Sequence, residues 1–289
     1  MFVRIGYQIT IDSNAETVLL LALSPHPSFA GRIIGSPQVQ TDPALPMDRF
    51  LDPFGNQLTR LKAPKGRHVL WSDCIVEVDG TPDTVNPEAR QHDMLDLPPE
   101  TLPFLTASRY CDSDALAGEA LRLFGHIAPG WTLVQAICDH VHAHLTFGYG
   151  FARSTKTASE AQLEKTGVCR DFAHLAIALC RAMNIPARYA SGYLGDIGVR
   201  YSGPGDFCAW FEVYLGGRWY AFDARYNTPR IGRVLMSRGR DAADCAIITS
   251  FGAYYMTEFK VWTDEIAGQC NDANLRKMLR CRPMAEAIA

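Results

Sequence analysis

Several things are missing from this chain, and each absence removes a class of function. The longest apolar run, Val18 to Leu23, is far short of the ~20 residues that cross a bilayer, so no membrane partner is expected. There is no long basic run and the net charge is -3, so nothing presents a surface for nucleic acid. The nine cysteines are odd in number and contain no C-x-x-C pair, which argues against a disulfide framework. They read as free thiols in a reducing compartment, and the cytoplasm is the expected location. The opening residues alternate like a strand and lack the basic and apolar regions of a secretion signal. Charged residues are sparse, at 20%, against 47% hydrophobic, which suits a sizeable core and excludes disorder. A length of 289 residues admits one large domain or two ordinary ones.

What is present divides in sequence near residue 104. Up to that point the pattern is β-rich. Phe2–Ile11, Thr17–Leu23, Gln38–Gln40 and His68–Val78 are the strand candidates, and Asp52-Pro53-Phe54-Gly55-Asn56 carries turn chemistry at nearly every position. Residues 80–104 hold five prolines among acids and read as a linker or surface crossing. Helical spacing follows. Asp112 or Ser113 can cap a helix over 114–124, and Thr132 with Gln135, and Thr157 with Glu160, have the capping-box signature. His140 and His144 stand i, i+4 on one helix, but the glutamate of the zinc helix motif is absent, so solvated histidines are expected there.

The centre of the sequence is Thr166-Gly167-Val168-Cys169-Arg170-Asp171-Phe172-Ala173-His174. It predicts a loop ending at glycine, then a helix with Cys169 in its first turn. Phe172, Leu175, Ala176, Leu179 and Met183 form one apolar face, and Pro186 ends the helix near Asn184. A thiol at a helix N-terminus lies beside unpaired N–H groups and the positive end of the dipole, both of which favour thiolate. His174, five residues along, turns away from that thiol and is expected to pack behind it. Downstream, Phe207–Leu215 and Arg218–Asp223 flank Gly216-Gly217, the strongest hairpin signal in the chain. A two-residue turn pairs Leu215 with Arg218 and puts Cys208, Trp210 and Glu212 on one face with Trp219, Ala221, Asp223 and Arg225. Cys208 and Asp223 are then diagonal neighbours, within reach of each other. The following loop, Thr228 to Asp241, is basic and glycine-punctuated, and a solvated rim is expected.

A helix-borne cysteine followed by a hairpin carrying a polar residue and a carboxylate on one face suits thiol acyl transfer. Gly167-Val168-Cys169-Arg170-Asp171-Phe172-Ala173, Ala209-Trp210-Phe211-Glu212-Val213-Tyr214-Leu215 and Trp219-Tyr220-Ala221-Phe222-Asp223 together resemble the core of the bacterial transglutaminase-like family. That family is similar to papain-type cysteine proteases. The resemblance spans roughly 130–230, and the Phe54-Gly55-Asn56 turn resembles the N-terminal domain such proteins often carry. It implies an α+β fold: a β-rich domain over 1–104, then a papain/transglutaminase-like domain over 105–289, its cysteine helix packed on an antiparallel sheet. It implies peptide, protein or amide substrates and no cofactor. Carried over by position, Cys169 is the nucleophile and Asp223 the group that orients the base. The base itself departs from the pattern: histidine should precede the Ala-Trp pair, and Cys208 stands there. The residues therefore leave four readings open. They are a thiol hydrolase or acyltransferase using Cys169, Cys208 and Asp223, a catalytically silent peptide-binding relative, a Cys169–Cys208 redox pair, and a thiolate metal site.

Overall fold

The computed structural model describes residues 1–200, 205–268 and 271–279. The first strands are β1 (Phe2–Ser13), β2 (Thr17–Leu21), β3 (Ile33–Asp42), β4 (Met47–Leu51), β5 (Gln57–Ala63) and β6 (Gly66–Glu77). The alternation in β1 sends Val3, Ile5, Tyr7, Ile9 and Ile11 to one fully buried face, which is the period a half-buried strand requires. The helical region holds α1 (Ser113–Phe124), α2 (Trp131–His144), β7 (Thr146–Phe147), α3 (Ala158–Glu164), β8 (Thr166–Gly167) and α4 (Cys169–Ala182). Strands β9 (Ala187–Tyr193), β10 (Phe207–Leu215), β11 (Arg218–Phe222), β12 (Val234–Gly239), β13 (Ile248–Ser250) and β14 (Tyr254–Ile266) follow, then α5 (Asp272–Met278). Among the described residues no helix is long and apolar enough to cross a membrane.

Two antiparallel sheets, ordered β14-β1-β6-β3 and β13-β2-β5-β4, face each other across an apolar core that includes Leu19, Leu21, Leu61 and Leu70. The last strands therefore return to the first: β14 runs antiparallel along the whole of β1, Phe2 opposite Ile266 and Ser13 opposite Tyr254. The Asp52–Asn56 turn joins β4 to β5, with the Asp52 carboxylate accepting the N–H of Phe54 and Asn56 at 2.8 and 2.9 Å. Asn56 is fully buried and reaches β12: its amide donates to Arg238 O at 2.8 Å and its oxygen accepts Arg238 N–H at 2.9 Å. A turn of the sandwich is so fastened to the sheet that carries the site.

That sheet, ordered β11-β10-β9-β12, is antiparallel throughout. Gly216 and Gly217 turn the β10–β11 hairpin at φ +53° and +84°, the doubly positive backbone a two-residue hairpin favours, and Leu215 meets Arg218 as expected. Phe211, Val213 and Leu215 pack toward α4 in one core, while Tyr193, Phe207, Val234 and Met236 join the core of the sandwich. Helix α4 is buried on every side from Asp171 to Arg181, which makes it the central helix. It stops where Asn184 turns left-handed at φ 61° ahead of Pro186.

Of the two capping boxes, Thr157–Glu160 forms, the carboxylate accepting Thr157 N–H at 2.9 Å. The Thr132–Gln135 box does not, because Gly130 is the N-cap of α2 and Gln135 instead bonds Asp139 and Asn227. Asp112 stands at the start of α1 but gives its carboxylate to Ser159 of α3. Residues 80–104 cross the surface of the β11-β10-β9-β12 sheet, with Asn86 on the Tyr220 hydroxyl and Phe104 packed edge-on to Trp219.

Candidate active site

Strand β8 pairs in parallel with β7 and delivers the chain to the start of α4. Val168, the N-cap residue, has no side-chain acceptor, so only the reverse half of the cap is made: the Asp171 carboxylate accepts Val168 N–H at 2.9 Å. Cys169 is the first residue of the helix and is half-buried. Cys74, Cys111, Cys138, Cys180, Cys208 and Cys245 are buried, and burial is the first cause that drives the thiols of all but Cys208 upward, Cys74 and Cys111 to about 12. Cys169 alone among the described thiols is held below its ordinary value. The first cause is a hydrogen bond from the Cys208 thiol. Ala209 N–H and the charge of Arg225 act in the same direction, against burial and the charge of Asp206.

Cys208 lies near the start of β10, opposite Gly192 of β9, and is buried. It is the converse of its neighbour. The bond to Cys169, then burial, then the Asp223 charge keep its thiol protonated far above the usual range. Its sulfur also lies 3.7 Å from Ala209 O. The two thiols thus form an unequal pair in which Cys208 donates and Cys169 accepts.

Asp223 stands one residue past the end of β11, on the face the hairpin parity assigns, and its charge reaches Cys208. Its carboxylate is occupied elsewhere. One oxygen accepts the N–H of Arg225 and Tyr226 at 3.0 and 3.1 Å. The other lies 3.2 Å from Arg233, whose Nε lies 2.9 Å from Asp83 and whose guanidinium lies 5.0 Å over the Trp210 ring. The basic loop is therefore no solvated rim: Arg230 and Arg233 are buried, the first paired with Asp196 at 3.1 Å. The alternation rule reaches strands only, so the loop's return beneath Asp223 could not be read from it.

His174 is fully buried behind the site. Its Nε2 accepts Ala242 N–H at 3.1 Å, its ring stacks on Tyr110 at 5.2 Å, and burial pushes it well below the ordinary value. It has no route to the thiol, as its place on the helix implies. His140 and His144 stack at 5.1 Å, and no group of three metal-ligating side chains is found among the described residues.

Two cavities meet at Cys208. One, of about 440 Å³, is lined by Cys169, Tyr189, Phe207, Cys208 and Ile248. The other, of about 490 Å³, is lined by Phe147, Tyr149, Asp206, Cys208, Arg225 and Tyr226. Asp206 lies between them and was missed as a site residue, as was Arg225; only the pairing parity of 225 with 208 pointed to the latter. Asp206 is raised by burial, against hydrogen bonds from Phe207 N–H and the Tyr149 hydroxyl.

A helix-borne thiol packed on an antiparallel sheet and lining a cleft defines the framework of the papain and transglutaminase class. The model of the transglutaminase-like superfamily matches residues 125–224. A solved chain from Cytophaga hutchinsonii, described as a candidate cysteine protease, is 31% identical with a TM-score of 0.81, over 94% of this chain and 92% of that one. The chain belongs to the transglutaminase-like superfamily. Curated relatives include an uncharacterised protein of Mycobacterium leprae, 27% identical over 72% of this chain and 77% of its own. An uncharacterised protein of Mycobacterium tuberculosis is 28% identical over 77% of each.

Proposed function

We propose that the protein is a thiol hydrolase or acyltransferase that acts on peptide or amide bonds through an acyl-enzyme on Cys169. The observation that carries this is the contrast among the thiols: Cys169 is both accessible and lowered, whereas the other described thiols are buried and raised. The thiolate attacks the carbonyl carbon, and the displaced electron pair goes to the oxygen, where N–H groups at the start of α4 favour it. Collapse expels the amine, which takes its proton from the Cys208 thiol. A water or a second amine gives that proton back as it attacks the thioester, and Cys169 leaves as thiolate. In this reading Cys208 holds the place of the usual base histidine, and Asp223 acts on it through space while bound to Arg233. A raised thiol is a poor proton carrier near neutrality, so turnover is slow.

The chain is read as a β-rich domain over 1–104, to which β13 and β14 return, and a catalytic domain that follows it, with the odd set of thiols suiting the cytoplasm. A reversible Cys169–Cys208 disulfide is a second reading, favoured by the direct bond between the two thiols. A generic thioester or activated amide tests the main one: a reduced sample should give a burst of one product equivalent and a mass increase on Cys169. A burst that survives in Cys169→Ala would end it.

A further inference from the structure

Among the described residues the most enclosed arginine side chains give their donors to protein acceptors: Arg181 to the carbonyls of Thr106, Ala187 and Arg240, Arg188 to Glu212 at 2.6 Å, Arg230 to Asp196 at 3.1 Å and Arg233 to Asp83 at 2.9 Å. Arg225 is different. It is half-buried and, among the described residues, forms no ion pair with a carboxylate. Its guanidinium carbon lies over Phe147, 3.7 Å from the ring centroid, and 4.6 Å from the centroid of Tyr226. Contact with two rings restrains the group, and among the described residues its N–H donors are given no protein acceptor. A guanidinium fixed in this way has lost much of its rotamer freedom in advance, and its fork matches a planar carboxylate. Arg225 also shares the 490 Å³ cavity with Cys208, whose thiol bonds the Cys169 sulfur, and its charge reaches that sulfur.

We propose that Arg225 is a substrate-carboxylate site, and that the preferred substrates are amides or esters carrying a carboxylate close to the reacting carbonyl. The proposal rests on Cys169 being the nucleophile. Other charges facing the cavity narrow the class. Asp196 is taken by Arg230, and Asp206 by the Tyr149 hydroxyl and Phe207 N–H; the Asp206 charge also reaches Arg225, with no ion pair between them among the described residues. Asp264 and Glu265 line the same cavity from β14 and oppose a second negative charge. One carboxylate, held at the Arg225 side, is what the wall accepts. Tyr149 and Tyr189, the phenols whose charge reaches Cys169, are raised by burial and stay neutral.

Iodoacetate and iodoacetamide test this, because they alkylate with the same leaving group and differ by one charge. The ratio of their rates at Cys169 cancels the nucleophilicity of the sulfur, which both reagents need equally. Against the same ratio for free N-acetylcysteine, Cys169 should favour iodoacetate about ten- to a hundred-fold, the range of charge-assisted hydrogen bonds. The preference should saturate with iodoacetate, yield to acetate but not to chloride at equal ionic strength, vanish in Arg225→Met and persist in part in Arg225→Lys. A wild-type ratio equal to that of N-acetylcysteine, or one unchanged in Arg225→Met, overturns the proposal. If Arg225→Met fails to fold, the wild-type ratio and acetate competition decide alone. Cys169 resisting both reagents would overturn the nucleophile itself, whereas ordinary iodoacetamide reactivity without the preference removes only the carboxylate site.

Discussion

Arg233 lies 3.2 Å from the Asp223 carboxylate and so occupies the group that, in the family pattern, steadies the base. The arginine also holds Asp83, and both its side chain and that of Asp223 are almost wholly enclosed. Removing one partner from such a set leaves uncompensated buried charge. Arg233→Met is therefore expected to destabilise the protein by about 3–5 kcal/mol, read as a fall in the urea midpoint. A cost below about 1 kcal/mol would mean that water reaches both carboxylates.

An imidazole at position 208 would stand beside the Cys169 sulfur and can carry a proton near neutral pH, which the Cys208 thiol cannot. Cys208→His is expected to raise acyl-transfer turnover by about 10²–10⁴-fold on a generic amide under reducing conditions. Cys208→Ala should keep most of the residual turnover, water replacing so poor a proton carrier, but move the Cys169 alkylation inflection to higher pH, since the largest cause lowering it is gone. A wild type that turns over rapidly and loses activity in Cys208→His would show that the cysteine is specifically required.

The buried thiols make stability fall with alkali. Cys74 and Cys111 keep their protons in the fold up to about 12, whereas an unfolded thiol gives its proton up near ~8.5. Above that lower value the unfolded chain binds fewer protons than the folded one, so unfolding becomes easier as pH rises. The stabilisation is complete below ~8.5 and is lost as pH rises from there to about 12. Denaturant midpoints at pH 7.5 and pH 10 should differ, with the lower at pH 10. Equal midpoints would mean that these thiols are not shielded from solvent.

Asn56 gives both ends of its amide to Arg238 of β12. Asn56→Ala strands a buried N–H and a buried carbonyl and is expected to cost about 2–4 kcal/mol, two unmet partners at 1–3 kcal/mol each, less what relaxation recovers. Thermal melts of the variant check this. The same loss should loosen the hold of the sandwich on the catalytic sheet.

How much of this could be read from the residues depended on whether a local rule governed them. The helix start at Cys169, its end near Asn184 and the Leu215–Arg218 pairing follow from glycine, proline and turn chemistry, and all are found in place. Two things had no local rule. Strands β4 and β5 alternate weakly, so only the turn between them stood out. The partner of Asp223 comes from a loop ten residues on, and its arginines looked solvated because sequence cannot show which acids fold back to meet them. For the same reason the Asp223 carboxylate looked free to receive a side chain at position 208.

The central claim concerns one sulfur, and timed iodoacetamide labelling of the reduced protein with site-resolved mass spectrometry tests it directly. Lowering the Cys169 thiol extends its thiolate to lower pH, so it should label first near pH 6.5, with an inflection below that of a free cysteine. Cys74, Cys138 and Cys180 should remain unlabelled until the protein unfolds. If Cys169 labels no faster than those buried thiols, or only with the inflection of an ordinary cysteine, it is a packed structural residue and the enzyme reading fails with it.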